Sequence, residues 1–268
     1  MNNTFGFIGT GNMGGALAKA AAKGMDPAAI FLANKTQAKA EALAAELGCN
    51  PVCAEEVAKQ CGFIFLGVKP QMMADLLAEL APTLANRQDD FVLVSMAAGL
   101  TMADIRRMAG GNYPVIRIMP NTPVAVGSGM VLYDFTENVS GDALETFLSN
   151  MRFAGNMDHL PERLIDAGSA VAGCGPAFAC MFLEALADGG VACGLPRDKA
   201  MTYAAQMLLG TARLVLESGQ HPGQLKDAVC SPGGSTIMGV KALEDGGLRA
   251  AAFSAVEAAY RRTKELGK

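Results

Sequence analysis

The stretch Phe5-Gly6-Phe7-Ile8-Gly9-Thr10-Gly11-Asn12-Met13-Gly14 decides the fold: a short apolar run leads directly into G-x-G-x-x-G. Residues 12–23 then carry Ala, Leu and Met at helical spacing, and a second apolar run ends at Ala33. In such a strand, turn and helix, Gly9 permits the tight turn and Gly11 lets the backbone approach a pyrophosphate. Gly14 allows the helix to pack closely on the strand. The N-terminus of the helix, with its free N–H groups, then faces the phosphates. Gly9, Thr10, Gly11, Asn12, Met13 and Gly14 are therefore expected to hold a dinucleotide.

Working outward, the first 160 residues repeat the same alternation. Apolar runs at 5–8, 30–33, 63–68, 91–95, 115–118 and 130–133 predict strands, and amphipathic runs at 12–23, 35–47, 71–84 and 101–109 predict helices. Strands that are apolar throughout belong in a parallel sheet covered on both faces, so the fold class is α/β, a doubly wound Rossmann-type sheet. Beyond Pro161 the strand runs stop. Helical runs at 163–171, 176–191, 197–218, 222–229, 235–244 and 248–266 are separated by Gly and Pro turns. The chain divides into a nucleotide-binding domain, 1–160, and an all-α domain, 161–268, for dimerisation and substrate binding.

Composition narrows the function classes. With 51% hydrophobic and 18% charged residues among 268, the chain can bury a large core and is not intrinsically disordered. The formal charge is −4, with 11 basic and 15 acidic residues up to position 160 and 11 of each after it. There is no basic stripe and no Trp, which argues against a nucleic-acid partner. The seven cysteines are an odd number, and the two histidines, His159 and His221, complete no metal cluster with them. The thiols read as free, packed as small hydrophobes in a reducing cytoplasm, and no metal is expected. The uncharged stretch 167–183 contains Gly173, Gly175 and Pro176, falls short of a membrane span of roughly 20 apolar residues and reads as a deeply buried helix. The later helices hold more apolar surface than they can bury among themselves, which implies a partner subunit.

The end of the second strand selects the cofactor. A site preferring NAD places Asp or Glu there for the ribose 2′-hydroxyl, whereas this chain has Ala33-Asn34-Lys35-Thr36. Asn34 and Lys35 suit a 2′-phosphate, so NADPH is expected, with NADH used less readily. Three further segments fall at the carboxyl ends of strands: Val68-Lys69-Pro70, then Ala97-Ala98-Gly99, then Met119-Pro120-Asn121. Small residues at 97–99 would let a flat ring approach the backbone.

In the helical half, Cys230-Ser231-Pro232-Gly233-Gly234-Ser235-Thr236 ends one helix and begins another. Free backbone N–H groups there form a nest for a carboxylate. An N-cap with a plain turn is the alternative. The stretch from His221 to Glu244 resembles the signature of the Δ1-pyrroline-5-carboxylate reductases. So do Gly-x-Gly-x-Met-Gly, Val68-Lys69-Pro70, Arg117-x-Met-Pro-Asn121 and Gly173-Cys174-Gly175-Pro176-Ala177, in order and spacing. The similarity runs along essentially the whole chain, with Cys174 standing where a serine is common.

That resemblance implies reduction of (S)-1-pyrroline-5-carboxylate, a small cyclic imino acid, to L-proline, the last step of proline biosynthesis. It implies a homodimer or larger oligomer built through the C-terminal helices, with each active site drawn from two subunits. Ser231, Gly233, Gly234, Ser235 and Thr236 would bind the substrate carboxylate, and the Thr236 hydroxyl would face the ring nitrogen as the catalytic group. Two other readings compete: a β-hydroxyacid dehydrogenase, which needs a lysine on the first interdomain helix, and a non-catalytic NADPH sensor. Residues 163–197 contain no lysine, and a sensor leaves the 231–236 loop without a purpose.

Overall fold

The protein is described by a computed structural model covering Asn2–Leu266. Its two compact units divide after Cys174, and the chain returns to the first unit at Ala259. The expected division at 160/161 marks where strands cease. The compact division falls later because α7 (Glu162–Gly168) buries Ile165 and Asp166 in the first unit.

The first unit is built on eight strands: β1 (Phe5–Ile8), β2 (Ile30–Ala33), β3 (Asn50–Pro51), β4 (Phe63–Leu66), β5 (Val92–Ser95), β6 (Val115–Met119), β7 (Gly129–Phe135) and β8 (Gly155–His159). Their order in the sheet is β3-β2-β1-β4-β5-β6-β7-β8. The first six strands pair in parallel, in agreement with the apolar runs of β1, β2, β4, β5 and β6, while β3, Asn50-Pro51, is no apolar run. The β6–β7 pair is antiparallel, so the sheet is not parallel throughout. The link between these strands is a 3-10 turn, Thr122–Val126, too short for the crossover of a dozen or more residues that a parallel return needs.

Helices α1 (Asn12–Gly24), α2 (Gln37–Leu47), α3 (Ala54–Gln60), α4 (Met73–Ala85), α5 (Met102–Ala109) and α6 (Gly141–Met151) surround the sheet. One face packs Phe5, Phe7, Phe63 and Phe65 with Phe147 and Leu17; the Phe7 and Phe65 rings stack at 4.2 Å. The other face packs Ile64, Leu66 and Leu93 with Leu77, Leu80 and Ile105. Burial on both faces explains why these strands carry no polar alternation. The turn Gly110, left-handed at φ 75°, and the Thr101–Asp104 capping box define the two ends of α5.

The second unit contains α8 (Gly175–Ala192), α9 (Arg197–Ser218), α10 (Pro222–Ala228), α11 (Ser235–Asp245) and the first half of α12 (Leu248–Leu266). Helices α8 and α9 meet through small residues: Ala187, Ala200 and Ala204 are buried, and a Cβ on Gly190 would lie 3.2 Å from that of Ala200. Met181, Leu209, Leu216, Met238 and Phe253 stay largely exposed. The expectation of a deeply buried helix at 167–183 therefore fails within one chain. Glu162–Ala192 is long and apolar enough to cross a membrane by length and composition, with only 11% of its most apolar window buried.

Candidate functional site

The strand order reverses between β1 and β4, and ligands of open α/β sheets bind at the carboxyl ends of strands at such a point. Gly9 and Gly67 lie there in backbone contact. A Cβ on Gly9, whose φ is +99°, would stand 2.6 Å from the Gly67 carbonyl oxygen; one on Gly67 would stand 2.5 Å from that of Gly9. A Cβ on Gly14 would come within 2.0 Å of the same Gly9 oxygen, so helix and turn are pressed together there. Gly11 differs, because its Cβ would meet no protein atom within 4 Å. No contact within the chain requires glycine at that position, which leaves room for a ligand to approach the backbone.

Helix α1 starts immediately afterwards without a side-chain cap and without an acidic residue in its first turn. The N–H groups of Asn12, Met13 and Gly14 are thus free of side-chain partners, in an orientation and potential that favour an anion. The Thr10 hydroxyl is enclosed and has no hydrogen-bond partner among the described residues. Asn34 Nδ2 donates to the Thr36 carbonyl at 3.1 Å, which holds the β2–α2 link, while Lys35 extends exposed beside it. These features fit a dinucleotide.

Val68 and Pro70 are half-buried and Lys69 exposed, and Pro70 opens the 3-10 turn Pro70–Met72 that leads into α4. Ala97 is buried, Ala98 and Gly99 are half-buried, and Ala97 N–H donates to Ser95 Oγ at 3.4 Å. Met119, Pro120 and Asn121 are buried at the end of β6. The Asn121 side-chain amide is engaged within the chain. Its Nδ2 donates to the Ala172 carbonyl and its Oδ1 accepts from Met130 N–H, both at 2.9 Å.

Below these segments lies a buried charged cluster that the sequence motifs do not announce. Arg117, on β6, donates to Asp166 Oδ1 at 2.6 Å and to Glu162 Oε1 at 3.4 Å. Glu162 Oε1 also accepts the Met102 N–H at 2.7 Å, which ties the start of α5 to α7. Lys264 reaches Asp166 Oδ2 at 3.2 Å. The i, i+4 spacing of Glu162 and Asp166 on one helical face was the available signal, but their partner lies 45 to 49 residues away in sequence.

In the second unit, Ser231, Gly233, Ser235 and Thr236 are exposed and Gly234 is half-buried. Gly233 is left-handed at φ +68°, and a Cβ on Gly234 would lie 2.4 Å from Ser231 Oγ. Gly234 N–H donates to the Ser231 carbonyl at 3.0 Å, and α11 begins without a side-chain cap or an acidic first turn. The N-cap reading of this turn finds no side-chain capping bond. The cysteines correct a sequence expectation: Cys61 alone is buried, Cys49, Cys174 and Cys230 are half-buried, and Cys53, Cys180 and Cys193 are exposed. Burial pushes the Cys61 thiol up to about 12 and that of Cys49 to about 11.

The family model described as pyrroline-5-carboxylate reductase dimerisation matches residues 162–266, and one described as NADP oxidoreductase, coenzyme F420-dependent, matches residues 4–99. The pyrroline-5-carboxylate reductase of Escherichia coli is 38% identical over 271 residues and is covered, like this chain, in full. The chain belongs to the pyrroline-5-carboxylate reductase family. Solved structures agree. The Plasmodium falciparum pyrroline carboxylate reductase with NADP bound is 30% identical, with a TM-score of 0.89 over 99% of this chain and 98% of that one. The Coxiella burnetii pyrroline-5-carboxylate reductase is 32% identical and also scores 0.89, over 100% of both chains. In this member of the pyrroline-5-carboxylate reductase family, the helices that follow the glycine loop and the 231–234 turn both begin without a side-chain cap or an acidic first-turn residue, as α2 does beside Lys35.

Proposed function

We propose that this protein reduces (S)-1-pyrroline-5-carboxylate to L-proline with NADPH, the closing step of proline biosynthesis. The observation that carries the reading is full-length similarity to enzymes of that name, joined to a glycine loop whose Gly11 faces open space at the switch point. When bound, the nicotinamide cofactor supplies the hydride.

The chain's own residues bind and orient. Gly9 to Gly14 hold the pyrophosphate through backbone N–H groups, and Lys35 with Asn34 meets the 2′-phosphate, which favours NADPH over NADH. Val68 to Pro70, Ala97 to Gly99 and Met119 to Pro120 shape the nicotinamide end. Ser231, Gly233, Gly234 and Ser235 hold the substrate carboxylate in the nest at α11, and Thr236 directs its hydroxyl to the imine nitrogen. A cyclic imine is protonated by solvent near neutral pH, so no strong protein acid is required, and catalysis rests on orientation and electrostatics.

The smallest active particle is a homodimer in the cytoplasm. The apolar faces of α8, α9, α11 and α12 are covered by a second copy rather than by lipid, because the matched family model over this segment is one of dimerisation. Each active site then joins one subunit's glycine loop to the partner subunit's nest. Turnover compared between the imine with NADPH and 3-hydroxyisobutyrate with NADP tests the assignment. Activity only on the hydroxyacid would overturn it.

A further inference from the structure

From Glu162 to Ala192 the helical path is interrupted: α7 leads into a π turn, Ser169–Gly173, and α8 then resumes at Gly175. Pro176 explains part of the break. In a regular helix the N–H of residue 176 would reach the carbonyl of residue 172, and proline has none to give. The Ala172 carbonyl instead receives the Asn121 amide at 2.9 Å. The same side chain accepts the Met130 N–H at 2.9 Å and is itself only 8% exposed. One buried amide thus joins the end of Met119-Pro120, the start of β7 and the π turn. Such π bulges gather at functional sites.

We propose that Asn121 is a positioning residue for hydride transfer: it fixes the Met119-Pro120 backbone against the reacting ring through Ala172 and Met130, without itself binding the cofactor. The inference rests on the proposed reading of 119–120 as part of the nicotinamide end. Affinity for the dinucleotide resides mainly in the Gly9–Gly14 loop and Lys35, whereas the geometry of transfer depends on the far end. A displacement of about 1 Å there costs on the order of 10²-fold in rate with little loss of binding.

The test uses full-length Asn121→Ala and Asn121→Asp, measuring NADPH Kd by nicotinamide fluorescence, single-turnover imine reduction and hydrogen exchange at the Met130 amide. Aspartate keeps the acceptor for Met130 and lacks the donor for Ala172. Both variants are expected to lose roughly ten- to a hundredfold in rate with NADPH Kd within about twofold. The Met130 amide should lose protection in the alanine variant and retain it in the aspartate variant. A rise in NADPH Kd parallel to the rate loss would show direct cofactor binding and overturn the proposal. So would a wild-type rate in either variant, even with a lowered Tm. If the wild-type protein fails to reduce the imine at all, the proposed function falls, while Met130 exchange still reads the clamp separately.

Discussion

Arg117 on β6 donates Nη2–H to Asp166 on α7 at 2.6 Å, with the arginine 2% exposed and its Nε left without a partner. The pair joins the strand that leads into Met119-Pro120 to the first helix after the sheet. Removing Asp166 leaves the buried Arg117 with only the longer 3.4 Å contact to Glu162 for a partner, which costs more than the pair itself contributes. Asp166→Ala should lose about 3–5 kcal/mol in urea unfolding. Arg117→Met with Asp166→Leu should recover most of that loss. Equal instability in the double variant would show that the charges stabilise the fold outright.

Gly11 and Gly14 should separate folding from binding. Gly11→Ala places a methyl group in open space at an ordinary φ of −72°, so Tm should stay near wild type while NADPH affinity falls by at least about tenfold. Gly14→Ala drives a Cβ to 2.0 Å from the Gly9 carbonyl and should lower Tm as well. Calorimetry with a binding titration on each variant reads both effects. Unchanged NADPH affinity in Gly11→Ala would remove the glycine loop from the cofactor site.

Lys35 lies exposed where many dinucleotide sites carry an acid. Lys35→Ala should weaken NADPH by about ten- to a hundredfold, the scale of one charge-assisted hydrogen bond, and leave NADH within about twofold. Equal kcat/KM losses for the two cofactors would remove Lys35 from 2′-phosphate recognition.

Much of this architecture is legible in the sequence because the apolar runs are buried in the sheet and Gly9 and Gly14 each answer a distinct steric demand. The missed elements have physical reasons. β3 is two residues long, β8 is a polar edge strand, α3 is only seven residues and mostly charged or polar, and α6 interleaves its apolar residues with Asp142, Glu145, Thr146, Ser149 and Asn150. Asn121 carries the clearest lesson: its motif suggests ligand binding, but only the three-dimensional path shows Pro176 removing the donor that Asn121 supplies to Ala172.

Cys61 gives a pH prediction. Its thiol, raised from 9.0 to about 12 by burial, holds its proton more tightly when folded. Stability from this group is complete below about pH 9 and is lost as pH rises from there toward about 12, with a slope of at most about 1.4 kcal/mol per pH unit. Urea midpoints measured across this range should fall more steeply for wild type than for Cys61→Ala. Parallel slopes would show that Cys61 does not titrate with unfolding.

The shared site can be tested by mixing subunits. Assayed at NADPH well below the weakened Kd, Gly11→Ala protein should have little activity, as should Thr236→Ala protein. When randomly reassorted, half the dimers are mixed and hold one intact site, so activity should recover to about a quarter of wild type. No recovery would place the glycine loop and Thr236 of one active site in the same subunit.

The central claim is tested most directly by incubating the purified protein with (S)-1-pyrroline-5-carboxylate and NADPH and quantifying both NADPH consumed and proline formed. The account predicts proline in a one-to-one ratio with NADPH oxidised, as a single hydride transfer requires. Absence of proline, or NADPH oxidation independent of the imine, would contradict it.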